Sequence, residues 1–71
     1  MPEGISNRLR ELRTERGLTQ AALAEAVGVS RKTVNTVENG VFTPSVMLAL
    51  KLARALGQPV EAVFFIPEGE M

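Results

Sequence analysis

The sequence predicts an all-α fold of five short helices. Three observations predict it. Apolar residues recur at helical spacing along most of the chain. Serine, threonine or asparagine stands where most of these stripes begin, as capping requires. Glycine follows four of them, at positions 17, 28, 40 and 57, as a left-handed helix end requires.

The elements follow in order. Ile5, Leu9, Leu12 and Arg16 fall on one stripe of a first helix, capped by Ser6 or Asn7 and ended by Gly17. Thr19 caps a second helix that turns Leu23, Ala24 and Val27 inward, and Gly28 closes it. Ser30 caps a third, with Val34 and Val37 inward and Asn39-Gly40 as its stop. A fourth is expected from Thr43-Pro44, with threonine as cap and proline at the first helical position. Its inner face is Leu48, Ala49, Leu52, Ala53 and Leu56. Gln58-Pro59 opens one more short turn with Val60, Val63 and Phe64 inward, and Phe65-Ile66-Pro67 is too short and too proline-bound to be a helix. The connections are a few residues long, as in compact helical domains.

The 71 residues allow one domain, spanning 1–71, and 45% hydrophobic residues argue for a folded core. The chain has no cysteine or histidine, and its eight acidic residues are all glutamate. Thiolate and imidazole metal sites are therefore ruled out, and acid–base catalysis has little to work with. No enzyme activity, cofactor or metal is expected. An almost wholly aliphatic interior is also poor material for a small-molecule site, so no such ligand is expected. No apolar run approaches the ~20 residues of a membrane span. The opening Met-Pro-Glu-Gly lacks the pattern of a signal peptide, so a cytoplasmic protein is expected.

Residues 19 to 39 form the constellation that carries function. Gly28 supplies the positive φ of a tight turn between two steeply crossed helices. Ala24 lets the backbones approach, Val29 anchors the turn, and Leu23, Val27, Val34 and Val37 meet in one core. This is the spacing of a helix-turn-helix. Arg31 and Lys32 then stand in the first turn of the third helix. Cations at a helix N-terminus are unfavourable by a few tenths to about 1 kcal/mol each. Phosphate and base edges in front of that helix end would explain them. The formal net charge is zero, which argues against a generally basic nucleic-acid binder, but no acidic residue stands between Glu25 and Glu38. Glu61, Glu68 and Glu70 lie in the C-terminal segment, away from the basic stretch.

The chain resembles the phage Cro/repressor-type, or XRE-type, helix-turn-helix regulators. The matching residues are Arg13, Gly17-Leu18-Thr19-Gln20, Leu23-Ala24, Gly28-Val29-Ser30, Val34, Glu38-Asn39-Gly40, Pro44 and Leu52-Ala53. The resemblance runs from about Ile5 to Phe64 and is nearest to compact stand-alone members. It implies a five-helix lambda-repressor-like domain that binds duplex DNA and regulates transcription, as a repressor. It places Arg31, Lys32 and Thr36 at base edges of the major groove, with Asn35 as a further candidate for base or phosphate. Gln20, Asn39, Thr43 and Ser30 are the expected phosphate contacts, Ser30 doubling as a cap. Arg13 and Glu38 match a largely buried structural ion pair between the first and third helices. In the tail, 65–71, Phe65 and Ile66 leave an apolar face uncovered. That face is expected to form a homodimer interface, as a β-strand pairing with a second copy and with its N-terminal residues Glu3 to Ile5. A dimer would read a palindromic operator with half-sites about 34 Å apart. The alternative function is a protein-binding module of the antitoxin kind that touches DNA secondarily.

Overall fold

Three hydroxyl side chains set where three of the helices start. Thr19 Oγ1 accepts from the Ala22 amide at 2.9 Å, Ser30 Oγ from Thr33 at 3.1 Å, and Ser45 Oγ from Leu48 at 3.1 Å. Each satisfies one of the backbone donors that a helix start leaves open. The computed structural model describes residues 5–67. In chain order it holds β1 (Ser6–Asn7), α1 (Leu9–Glu15), α2 (Gln20–Val27), α3 (Arg31–Glu38), α4 (Val46–Leu56), α5 (Val60–Val63) and β2 (Phe64–Phe65).

The five expected helices are present, with corrections at two of their starts. Helix α4 is capped by Ser45, not by Thr43, and Pro44 lies outside the helix. Ser45 is extended, at ψ 163°, and its hydroxyl can reach the Leu48 amide. At α1 neither Ser6 nor Asn7 is the cap residue, because both lie in β1 and Arg8 occupies that position. Asn7 still does part of a cap's work, since its Oδ1 accepts from the Leu9 amide at 2.9 Å. Ile5 lies outside α1 and is exposed.

The core is aliphatic. Leu9, Leu23, Leu52, Leu56, Val34, Val37 and Val63 are its largest fully buried side chains. Leu12, Ala24, Val27 and Ala53 are buried with them. Helix α2 packs against both α3 and α4, α1 against α3, and α5 against α4. Ala24, at the middle of α2, permits the close approach to its neighbours. On its outer side α4 leaves Val46, Met47 and Leu50 exposed. No helix among the described residues is long and apolar enough to cross a membrane.

Arg16 does not point into the core, as its place on the α1 stripe suggested. Its Nη1 donates to the Leu56 carbonyl at 3.1 Å, at the C-terminal end of α4. A cation is favourable there because the last carbonyls of a helix are unpaired and partly negative. The next residue, Gly57, has φ +67°, and a Cβ on it would lie 3.1 Å from Arg16 Nη1. Gly57→Ala is therefore expected to destabilise by about 1–2 kcal/mol, the cost of a left-handed L-residue. Urea unfolding checks this as a lower midpoint with an unchanged slope.

The tail is extended, but its strand pairs within the chain. β2 is antiparallel to β1, with Ser6 opposite Phe65 and Asn7 opposite Phe64, and the Arg8 amide extends the ladder to the Val63 carbonyl at 2.9 Å. The expected strand is thus present and pairs first with Ser6–Asn7 of the same chain, at one edge only; its other edge has no strand partner among the described residues. Phe65 and Ile66 remain 39% and 59% exposed. Glu3 and residues 68–71, Glu68 and Glu70 among them, lie outside the described residues.

Candidate nucleic-acid interface

Helix α3 separates its faces sharply. Val34 and Val37 are each 1% exposed, while Arg31, Lys32 and Asn35 are turned to solvent. What aims that outer face is the turn before it. Gly28 has φ 80°, its amide reaches the Ala24 carbonyl at 2.9 Å, and the Val29 amide shares that carbonyl at 3.0 Å. A side chain at Gly28 would meet the steric penalty of the left-handed region. Val29 is half-buried against the core, so α2 and α3 hold one angle.

Gln20, Arg31, Lys32 and Asn35 line one shallow concavity, and no acidic residue lines it. Arg31 and Lys32 form no ion pair among the described residues. Two free cations thus stand at the positive end of α3, the arrangement that favours an anion in front of the helix. Ser30 is exposed at the same end, with its hydroxyl engaged by the Thr33 amide and by Thr33 Oγ1 at 2.9 Å. Thr36 is half-buried and donates to the Thr33 carbonyl at 3.0 Å, which leaves its oxygen as an acceptor. Asn39 caps the far end of α3 and donates from Nδ2 to Asn35 Oδ1 at 3.3 Å. Thr43 is exposed in the loop before α4 and lines a different cleft, with Ile5, Phe42 and Pro44. The structure therefore groups Gln20, Arg31, Lys32 and Asn35, places Ser30, Thr36 and Asn39 beside them, and sets Thr43 apart.

Behind this face stands Glu38, whose side chain is wholly buried. The expected pair with Arg13 is present: Arg13 Nε donates to Glu38 Oε2 at 2.6 Å and Nη2 to Oε1 at 3.4 Å. Arg13 Nη1 also donates to the Leu18 carbonyl at 2.7 Å, which fixes the α1–α2 loop. Two further donors reach the same carboxylate, Gln20 Nε2 at 3.0 Å and Arg10 Nε at 3.4 Å. Burial pushes the Glu38 carboxyl up. The hydrogen bonds from Arg13 and Gln20, the charge of Arg13 and the bond from Arg10 outweigh it and hold the group below its ordinary range.

Sequence reasoning missed three parts of this arrangement. Gln20 is tied to Glu38 through one amide hydrogen, which leaves the second for an outside acceptor. Arg10 lies three residues before Arg13 on the same side of α1, a spacing that could have linked both arginines to one acid. Asn7 Nδ2 donates to the Val37 carbonyl at 3.0 Å, so β1 holds the end of α3. No local pattern signals that contact across 30 residues.

A helix-turn-helix family model matches residues 9–63. The chain belongs to the helix-turn-helix family HTH_3. Among curated relatives, the "uncharacterized HTH-type transcriptional regulator YgzD" of Bacillus subtilis is 42% identical over 64 residues, covering 90% of this chain and 97% of YgzD. The restriction-modification controller protein C.AhdI of Aeromonas hydrophila superposes with a TM-score of 0.74 at 45% identity, over 78% of this chain and 83% of C.AhdI. The biofilm regulator SinR, solved in complex with DNA, gives a TM-score of 0.71 at 27% identity, over 76% of this chain and 87% of SinR. This HTH_3 member thus has the fold of regulators, one of them seen on DNA.

Proposed function

We propose that this chain acts as one DNA-binding unit, a regulator of transcription that reads double-stranded DNA through α3 in the major groove. The observation that carries the reading is the acid-free concavity of Gln20, Arg31, Lys32 and Asn35 at the positive end of α3. Arg31 and Lys32 donate to base edges, Arg31 as a bidentate partner of guanine, and Thr36 accepts. Asn35 faces the same groove. Gln20, Ser30, Asn39 and Thr43 meet phosphates and set the docking angle. The family resemblance and the SinR complex with DNA support this reading. Repression follows from occupying an operator.

A homodimer on a palindromic operator fits the apolar surface that one copy leaves outward. Phe65 and Ile66 would be covered by the second copy, and the Val46–Met47–Leu50 ridge of α4 is a second surface of the same kind.

Selection of bound sites from random duplexes tests the proposal. An inverted repeat is expected, with affinity falling steeply as salt rises. Arg31→Ala should lower affinity for the selected site by roughly 10–100-fold and relax one base position per half-site. Gln20→Ala should weaken all duplexes alike. Equal profiles for the two variants would overturn the assigned roles, and the absence of any enriched motif would overturn the function.

A further inference from the structure

We propose that Arg10, a residue of α1 outside the helix-turn-helix, sets the direction in which the Asn35 amide faces the duplex. Asn35 is thereby a donor that selects guanine or thymine over adenine. The inference rests on the reading that Asn35 faces a base.

The geometry is a relay of three side chains. Arg10 Nη2 donates to Asn39 Oδ1 at 2.9 Å. Asn39 Nδ2 donates to Asn35 Oδ1 at 3.3 Å. The directions in this relay follow from chemistry. An amide's oxygen and nitrogen are nearly alike in shape, so its orientation is decided by what it must bond. A guanidinium has five donors and no acceptor. Whatever atom of Asn39 faces Arg10 must therefore be its oxygen, and the Asn39 NH₂ is left for the other side. There it requires an acceptor from Asn35, which turns the Asn35 oxygen inward and its NH₂ outward.

The first link is itself fixed. Arg10 Nε is held by Glu38 Oε1 at 3.4 Å, and that carboxylate is buried and gripped by Arg13. Arg10 is otherwise exposed, with 59% of its side chain accessible. From α2, Gln20 adds a bond to the same Glu38 oxygen at 3.0 Å, behind the relay.

The consequence concerns base choice. Asparagine recognises adenine with two bonds, its oxygen accepting from N6 and its NH₂ donating to N7. The Asn35 oxygen has two lone pairs but is held toward Asn39, so it offers N6 a poorer acceptor than a free amide does. An outward NH₂ suits edges that offer acceptors: adenine has only N7, flanked by the N6 donor, whereas guanine has O6 and N7 and thymine has O4. Arg10 is thus a positioning residue, acting on the operator through two asparagines.

Two measurements test this. In site selection, Asn35→Ala identifies the base column that Asn35 reads, and the unmodified protein should show guanine or thymine there. Arg10→Met and Asn39→Ala should both move that column toward adenine, by about tenfold, the weight of one bidentate pairing. Arg10→Lys should keep the original column, because an ammonium is also donor-only. Adenine in the original column, no Asn35-dependent column, or an Arg10→Met variant with uniformly weaker binding and an unchanged motif would each overturn the inference. With the motif intact, those results leave DNA binding by α3 standing; a protein that enriches no motif loses both. The second measurement needs no DNA. In the free protein, NMR signals of the Asn35 and Asn39 side-chain amides should shift and exchange faster in Arg10→Met, but not in Arg10→Lys. Unchanged signals would overturn the relay.

Discussion

Arg13→Met is expected to lower the stability of the fold by about 3–5 kcal/mol, the cost of breaking a buried ion pair from one side. The Glu38 side chain is wholly buried, so its charge has no water to fall back on. Methionine keeps much of the arginine stem's bulk but offers no donor. It also frees the Leu18 carbonyl, which Arg13 holds at 2.7 Å. Gln20 and Arg10 remain on Glu38, and they bring one neutral amide and one long, exposed contact.

The same variant should change the pH dependence. With Arg13 present, the Glu38 carboxyl is held below its ordinary value of 4.5. Its contribution to stability is therefore complete above the unfolded value and is lost as pH falls through the folded one. Glu11, held low by the hydrogen bond from Arg8, acts in the same direction from the surface. Without Arg13, its hydrogen bond and charge no longer oppose burial, and the folded value of Glu38 rises. The stability that this residue supplies above its unfolded value shrinks accordingly. Urea unfolding near pH 4 and pH 7 separates the cases: the deficit of Arg13→Met should be larger at pH 7. A deficit equal at both pH values would show that the pair's charge is not what holds α1 to α3.

Leu23→Ala is expected to remove about 2–5 kcal/mol. Leu23 is fully buried on α2, the helix that packs on both α3 and α4. A 71-residue fold has roughly 4–11 kcal/mol in total, so this one change takes a large share of it. The cavity opens behind the reading face without touching it. DNA affinity should fall with the folded fraction, while the base preference stays the same. A loss under about 1 kcal/mol would mean that the core closes over the gap.

Much of this structure was legible because local chemistry fixes it. Thr19 and Ser30 are caps that act over three residues, and Gly28 and Gly57 stop helices by backbone geometry alone. The α4 start was misplaced because Thr43-Pro44 and Ser45 both satisfy helix-start rules, and the hydroxyl that reaches an amide decides between them. The pairing of β2 with β1 was not legible because an apolar strand carries no mark of its partner. Its partners are 57 and 59 residues away, and two ladder positions give no pattern to read. The site divides in the same way. Arg31 and Lys32 betray themselves by standing at the electrostatically costly end of a helix. Arg10 and Asn7 do not, since each works through a side-chain bond to a residue about 30 positions away.

The junction of β1 and β2 also sets an order of entropic cost as the chain folds. Asn7 meets the Val37 carbonyl across 30 residues, and it meets Phe64 across about twice that separation. Closing the shorter loop costs less, by about 0.6 kcal/mol for the halving of length. The chain therefore gives up less freedom in seating its reading helix against Asn7 than in closing the terminal ladder.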